Sequence, residues 1–384
     1  MRCITAITFT RSDYNSFVPV LRALEKEPDF QTQLIVSGTH LSPRFGHTVD
    51  QIESDEFRIA DRVEMEAVSD SPEGVVKSVG VAMVGFAQAF TRLKTDLIIL
   101  VGDRLELLAA ATAALTFRIP VGHISGGDIT EGAIDNQVRD AITRMSHLHF
   151  VAMQEHADRV ISMGEEPWRV HVTGEPALDL LKDMPLLSRD ELTKVLGMEL
   201  RPPVVAITYH PPTLGTRGAK AEVEALLQAL NEMQGTFVIS APNADVERDI
   251  ILDGLQRFTS QHSSARIFPS LGPLNYYSLL SHADLMVGNS SSGIWESPSF
   301  RLPVVNIGER QQGRRRAANV VDVASEPEAI RSGIRRALQP DFRSSLSNLR
   351  NPYGDGDAAP RIVKVLKQLN EMPSLIQKKT YQGR

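Results

Sequence analysis

The chain predicts an α/β protein built from two doubly wound, Rossmann-like domains. Short apolar runs of strand length alternate with amphipathic helical patterns. That alternation implies parallel sheets with helices on both faces. It stops in a stretch at 173–201 carrying Pro176 and Pro185, just before Pro202-Pro203, and then begins again. A length of 384 residues also exceeds what one hydrophobic core usually serves.

In the first half, residues 3–9, 33–36, 97–101, 121–124 and 148–152 read as strands, and 17–25, 105–117 and 133–144 as helices. One helix is expected at 189–196. Beyond it, 204–209, 237–240, 284–287 and 304–307 read as strands, with helices such as 222–233 between them, and 359–369 reads as a last helix. The expected domains are 1–175 and 176–358, followed by a helix and tail at 359–384. The last residues, 378–384, are expected to be unordered. Ligands in such sheets bind beyond the carboxyl ends of the strands, which with two domains means the cleft between them.

Composition narrows the function. The chain is 42% hydrophobic and 23% charged, ordinary for a globular protein. A net charge of -6 argues against a general nucleic-acid binder. The single cysteine, Cys3, excludes a disulfide framework and a cysteine zinc cluster, and reads as a small buried hydrophobe. No apolar run is expected to span a bilayer, and the charges Arg11 and Asp13 leave no signal-peptide pattern. A cytoplasmic protein without membrane partners is the expectation.

The chemistry sits on loops after strands. Strand 97–101 ends in Gly102-Asp103-Arg104. A charged pair there stands where catalytic groups sit in this fold class, although Asp103 would equally serve as a helix cap. Next comes the acid-rich loop Gly126-Gly127-Asp128-Ile129-Thr130-Glu131-Gly132-Ala133-Ile134-Asp135-Asn136. Glu131, Asp135 and Arg139 are spaced to share one face of helix 133–144, beside an inward stripe of Ile134, Val138 and Ile142, with Thr130 as a cap. Paired carboxylates raise at least one pKa, as a general acid requires, while a neighbouring arginine favours the ionised form of the other. The plainer alternative is a solvated charge ladder.

In the second half, Gly288-Asn289-Ser290-Ser291-Ser292-Gly293 leads from a strand into a helix. Backbone N–H groups and hydroxyls at a helix start make a phosphate cradle. Glu296, one turn on, is placed to take both hydroxyls of a ribose. Arg11 after the first strand offers a guanidinium to a phosphate. His210 follows strand 204–209, and Arg310 and Arg314 follow strand 304–307. His147 and His149 share a strand face, but with no third ligand in view no metal site is assigned. No strand precedes a glycine-rich dinucleotide or P-loop fingerprint, so nothing asks for NAD or for ATP hydrolysis.

Taken together and in order, these loops resemble the hydrolysing UDP-N-acetylglucosamine 2-epimerases of the sialic-acid and legionaminic-acid type. The match covers nearly the whole chain: Arg11-Ser12-Asp13-Tyr14, Ser37-Gly38-Thr39-His40-Leu41, Gly102-Asp103-Arg104, His123-Ile124-x-Gly126-Gly127-Asp128, Ile134-Asp135-Asn136 through Arg139, His210-Pro211, Pro242-Asn243, Gly288-Asn289-Ser290-Ser291, Arg310-Gln311-x-Gly313-Arg314 and Tyr353-Gly354-Asp355-Gly356.

The resemblance implies a fold of the glycosyltransferase-B type, with its active site in the interdomain cleft and its last helix crossing back onto the first domain. It implies no metal and no cofactor, a UDP-sugar substrate, and a homodimer or homotetramer. The reaction it implies is C2 deprotonation, elimination of UDP to a 2-acetamidoglucal, and rehydration to N-acetylmannosamine. By position, Asp103 and Asp135 are the acid–base carboxylates. His210 and Arg11 bind the diphosphate beside Ser290 and Ser291, Glu296 holds the ribose, and Asn15, His40, Arg104, Arg139, Asn243 and Arg310 complete the substrate site.

One departure stands out. Many family members carry a glutamate directly after the His-Ile pair, where this chain has Ser125, and Glu131 or Asp128 is the expected replacement. The Thr-Glu-Gly-Ala-x-Asp form also resembles relatives acting on UDP-2,4-diacetamido-2,4,6-trideoxyglucose, the alternative substrate to UDP-N-acetylglucosamine. An acceptor-dependent glycosyltransferase and an inactive nucleotide-sugar sensor are the further alternatives. Arg11-Ser12-Asp13 differs from the Arg-Pro-Glu motif of the non-hydrolysing epimerases.

Overall fold

The computed structural model describes residues 1–43, 47–65, 71–211, 214, 217–242, 246–369 and 371–383. The chain divides into two compact units. Unit 1 comprises Met1–Asp128, Asp135–Asp183 and Tyr353–Arg384, and unit 2 comprises Ile129–Ile134 and Met184–Pro352. The division thus falls a few residues from the expected boundaries. It also assigns Ile129–Ile134, from the middle of the acid-rich loop, to unit 2.

Unit 1 runs β1 (Arg2–Thr8), α1 (Arg11–Glu25), β2 (Phe30–Ser37), α2 (Val49–Ser54), β3 (Ile59–Val63), α3 (Pro72–Arg92), β4 (Leu97–Val101), α4 (Leu107–Thr116), β5 (Val121–Ile124), α5 (Asp135–Met145), β6 (Leu148–Val151), α6 (Gln154–Ser162), β7 (Val170–Val172) and α7 (Leu180–Asp183). All seven strands are parallel, in the order β3-β2-β1-β4-β5-β6-β7. The central strands β1, β4 and β5 are buried almost along their whole length and mostly apolar because both faces are covered. Beneath one face, Phe17, Leu21 and Leu24 pack in one cluster with Ile4, Leu34 and Ile99; Phe86, Phe90 and Ala110 pack with Ile7, Ile35 and Ile98 on the other. Each large apolar side chain so buried contributes about 1.5–3 kcal/mol.

Unit 2 runs α8 (Arg189–Leu196), β8 (Val204–Thr208), α9 (Ala219–Asn231), β9 (Thr236–Ser240), α10 (Arg248–Gln261), β10 (Ala265–Phe268), α11 (Gly272–His282), β11 (Leu285–Gly288), α12 (Ser292–Trp295), β12 (Val304–Ile307), β13 (Val320–Val323), α13 (Pro327–Ala337) and α14 (Pro340–Ser345). Its six parallel strands are ordered β10-β9-β8-β11-β12-β13. Leu226, Leu230, Leu255, Phe258, Ile330 and Ile334 form the core against Val205, Ile207 and Phe237. The chain then returns to unit 1 with α15 (Ala358–Gln368), whose Ile362, Val363 and Leu366 join the core containing α1.

This order fixes where ligands bind. Each sheet reverses its direction of growth once, between β1 and β4 in unit 1 and between β8 and β11 in unit 2. In each sheet, the residues leaving the carboxyl ends of those strands stand where ligands bind in such folds. In unit 1 they are Arg11 and Asp103, and in unit 2 they are His210 and Asn289-Ser290.

Three expectations need correction. Helix α3 is long and apolar enough, by length and composition, to cross a membrane. Its Ala82, Phe86, Ala89 and Phe90 nonetheless lie in the unit 1 core. The tail from Lys378 is docked: Lys378 Nζ donates to the carbonyls of Arg144 and Ser146 at 2.8 and 2.6 Å, and Tyr381 N–H to Gly164 O at 2.9 Å. Finally, helix α5 begins at Asp135 and not at Ala133.

Candidate active site

In unit 1, the polar groups gather around Arg139. This guanidinium, on α5, is fully buried. Its Nη2 donates to Asp103 Oδ2, and its Nη1 to the Asp128 carbonyl at 2.9 Å. Burial works against its charge, but the carboxylates of Asp103, Asp128 and Asp135 outweigh it and raise the pKa. Such a charge is tolerable inside a protein only because it is paired this way. Asp128 also accepts from Arg159 through its carbonyl at 3.3 Å, and its carboxylate faces His156 Nε2 at 3.5 Å. Gly127 makes the approach possible. With φ of +77°, it lies where a Cβ would meet the His156 carbonyl oxygen at 2.4 Å.

His123 positions Asp103 from the neighbouring strand. Burial pushes its pKa down to about 4, so the ring is neutral near pH 7. Nε2 lies 2.7 Å from the Gly102 carbonyl, which only accepts, so Nε2 carries the proton. Nδ1 then accepts from Thr143 Oγ1 at 3.2 Å. His123 was legible as part of a motif but not as a site residue.

Ser125 follows β5 with φ of +66°, a left-handed conformation uncommon for a serine. Its hydroxyl donates to Glu175 Oε2 at 2.6 Å, and Ser16 Oγ on α1 donates to Glu175 Oε1 at 3.2 Å. Glu175 is 2% exposed. Burial pushes its carboxyl up to about 7, against the hydrogen bonds from Ser125 and Ser16, with the Asp128 charge adding to the rise. Sequence reasoning missed Glu175 altogether.

The remaining unit 1 candidates differ in what they do. Arg11, at the start of α1, has no hydrogen-bond or ion-pair partner among the described residues, and burial lowers its pKa. Asp13, in the same motif, accepts from the N–H groups of Phe9 and Thr10, both at 2.7 Å, and so shapes the β1–α1 turn. Asn15 lies half-buried on α1. Both ring nitrogens of His40 are taken, by Thr8 Oγ1 at 2.9 Å and Thr48 Oγ1 at 2.7 Å. Arg104 pairs with Glu106, at 3.2 and 3.0 Å. His149 is bonded to Glu165 at 3.0 Å and His147 Nδ1 accepts from Val121 N–H at 3.1 Å, so both serve the packing beside the docked tail.

The expected Glu131–Asp135–Arg139 face does not form. Asp135 opens α5 and feels Arg139, but Glu131 lies before the helix, exposed, in unit 2. Ile134 is 38% exposed and does not join Val138 and Ile142 inside. Thr130 lies too far upstream to cap the helix. Glu131 N–H instead donates to the Gln312 carbonyl at 2.9 Å. At Gly132, a Cβ would fall 2.0 Å from the Glu309 carbonyl oxygen, so only glycine permits this docking.

In unit 2, Asn289 organises the strand ends. Its Oδ1 accepts from His210 N–H at 2.7 Å, and its Nδ2 donates to His210 O at 2.8 Å. Its own carbonyl accepts from Arg310 Nη1 at 3.2 Å and Gln311 Nε2 at 2.8 Å. Arg310 Nε has no partner among the described residues. Ser290 Oγ accepts from Ser292 N–H at 3.3 Å, and Ser291 precedes the single turn α12. That turn is too short for a strong macrodipole, so the phosphate reading rests on hydroxyls and Arg310 more than on the helix. Glu296 accepts from Tyr277 OH at 2.7 Å, and burial raises its pKa. Arg314 lies over the Trp295 ring at 4.5 Å. Asn243 lies outside the described residues.

Two parallel α/β sheets, each with polar groups at its switch point, define the class: a protein of the glycosyltransferase-B fold. A crystal structure of the Neisseria meningitidis UDP-GlcNAc 2-epimerase bound to UDP-GlcNAc superposes with a TM-score of 0.80 at 20% identity, covering 96% of this chain and all of that one. The family model described as UDP-N-acetylglucosamine 2-epimerase matches residues 22–367. A Campylobacter jejuni protein named GDP/UDP-N,N'-diacetylbacillosamine 2-epimerase (hydrolyzing) is 36% identical over 372 residues, 96% of each chain. A Neisseria meningitidis UDP-N-acetylglucosamine 2-epimerase is 31% identical over 339 residues, 88% of each. The chain belongs to the UDP-N-acetylglucosamine 2-epimerase family.

Proposed function

We propose that this protein is a hydrolysing 2-epimerase of a UDP-linked 2-acetamido sugar. A unit 1 carboxylate, Asp103 or Asp135, takes the C2 proton as UDP leaves C1, and water then adds to the resulting 2-acetamidoglucal while C2 is protonated on its other face. The observation that carries this reading is the buried Arg139 with Asp103 hydrogen-bonded to it and Asp128 and Asp135 in its field. Transfer at C1 alone would require no such C2 acid–base cluster. In unit 2, His210, Ser290, Ser291 and Arg310 are assigned to the diphosphate and Glu296 to the ribose.

Two substrates fit. The 36% identity to the Campylobacter protein, together with the Thr130-Glu131-Gly132-Ala133-x-Asp135 form, favours UDP-N,N'-diacetylbacillosamine. The family description and the 31% identical Neisseria protein favour UDP-N-acetylglucosamine. We place the diacetamido sugar first, which reverses the order expected from the resemblance. Each nucleotide is to be incubated with the protein and no acceptor, and UDP release followed. A kcat/KM at least about tenfold higher for the diacetamido sugar, about 1.4 kcal/mol of discrimination, is expected. UDP release only when an acceptor is added would replace this reading with a glycosyltransferase. A homodimer or homotetramer belongs to the same proposal, and light scattering on the purified chain checks it.

A further inference from the structure

Inversion at C2 needs two proton-handling groups, one for each face of the sugar. The Arg139 cluster supplies one. Unit 1 holds a second group that the scheme above does not use. Glu175 is a buried carboxyl, and no lysine, arginine or histidine among the described residues hydrogen-bonds or ion-pairs with it. A buried carboxylate without a cation is costly and favours its protonated form. Among the described residues, its side-chain hydrogen-bond partners are the hydroxyls of Ser125 and Ser16, at 2.6 and 3.2 Å.

Ser125 in turn leaves the carboxyl end of β5, directly beside the end of β4, from which Gly102 and Asp103 leave; Val101 and Ile124 are register partners. The left-handed backbone at Ser125 is sparsely populated by serine, and such strained conformations cluster at functional sites. Burial places the Glu175 carboxyl near 7, so at neutral pH it is partly protonated and able to give up and regain a proton.

The geometry points to Ser125 and Glu175 as a proton relay that protonates C2 of the 2-acetamidoglucal. The inference rests on the hydrolysing-epimerase reading above. The glucal double-bond electrons form the new C2–H bond with the Ser125 hydroxyl proton. The Glu175 proton moves to Ser125 Oγ, leaving a carboxylate. Water oxygen bonds to C1, and its released proton passes to a carboxylate of the Arg139 cluster. Exchange with solvent then returns a proton to Glu175. Ser125 is the catalytic residue of this step, and Glu175 is a positioning residue and proton reservoir acting through it.

The relay separates the two half-reactions. In Glu175→Gln and Ser125→Ala, UDP release in a single turnover persists, because elimination uses the other cluster. Hydration falls by at least about a hundredfold, the usual worth of a general acid, and 2-acetamidoglucal accumulates, visible by its vinylic C1 proton in NMR. Glu175→Asp restores part of the hydration. The wild-type hydration rate declines as pH rises through about 7, and this limb disappears in Glu175→Gln. Manno-configured sugar from Glu175→Gln at the wild-type rate, with no glucal, would overturn the relay while leaving the epimerase reading intact. Loss of UDP release along with hydration in both folded variants also contradicts it. Wild-type protein that releases UDP from neither nucleotide would overturn the functional reading and the relay with it.

Discussion

Asn289 holds the backbone of His210 from both sides, taking its N–H at 2.7 Å and giving a hydrogen bond to its carbonyl at 2.8 Å. The two residues leave the ends of β8 and β11, the adjacent strands at the unit 2 switch point. One side chain therefore sets where the imidazole stands. Asn289→Ala leaves two buried backbone groups without these partners, a cost of about 1–3 kcal/mol each. The expected result is a lower Tm together with UDP binding weakened at least about tenfold, read by calorimetry. Unchanged UDP affinity would remove His210 from the diphosphate site.

Arg139 and Asp103 give the sharpest contrast between two variants. Arg139→Ala leaves Asp103 without its cation and is expected to cost about 3–5 kcal/mol of stability. Arg139→Lys keeps a charge but lacks the planar fork that reaches Asp103 and the Asp128 carbonyl together. It is expected to fold, to bind UDP as wild type does, and to lose at least about a hundredfold in kcat. Equal losses in UDP affinity and kcat would contradict the assignment of acid–base chemistry to unit 1.

Stability should fall on both sides of a narrow pH range. Glu175 has its folded pKa raised from 4.5 to about 7, so its contribution is present below 4.5 and is lost as pH rises through 7. His123 and His147 are depressed by burial from 6.5 to about 4, so their contribution is present above 6.5 and is lost as pH falls through 4. Denaturation of wild type and Glu175→Gln at pH 5 and pH 8 isolates the first effect. The variant is expected to gain about 3 kcal/mol over wild type between the two. No gain would mean that Glu175 is not buried as a neutral acid.

Gly132→Ala tests the docking of the acid-rich loop. The added Cβ meets the Glu309 carbonyl at 2.0 Å, so the loop and its Glu131–Gln312 hydrogen bond must shift. Hydrogen exchange at 129–134 is expected to rise. The kcat is expected to fall by up to about a hundredfold, as misplacement near 1 Å does. Wild-type activity would show that the position of this loop does not matter to catalysis.

Much of this was legible because buried parallel strands announce themselves. The strands at 97–101, 121–124 and 304–307 match β4, β5 and β12, which are buried along their whole length and apolar except for His123 and Asn306. The loops after them could be ranked by position alone. Periodicity misled at Glu131, where four-residue spacing looked like a helical face but the backbone runs off to pair with Gln312 before α5 begins. His40 entered the expected substrate site through the resemblance alone, and its ring nitrogens bond two threonine hydroxyls that its motif does not reveal. Glu175 was invisible because nothing in Thr173-Gly174-Glu175-Pro176 indicates a contact with Ser125, fifty residues earlier. Such a contact exists only once β5 and the segment after β7 are folded into one unit.

The central claim is tested most directly by incubating the protein with each UDP-sugar in deuterated water, without acceptor, and following the products by proton NMR. The account predicts free UDP and a manno-configured sugar carrying deuterium at C2. A UDP-linked epimer, or free sugar that keeps its original C2 proton, would contradict it.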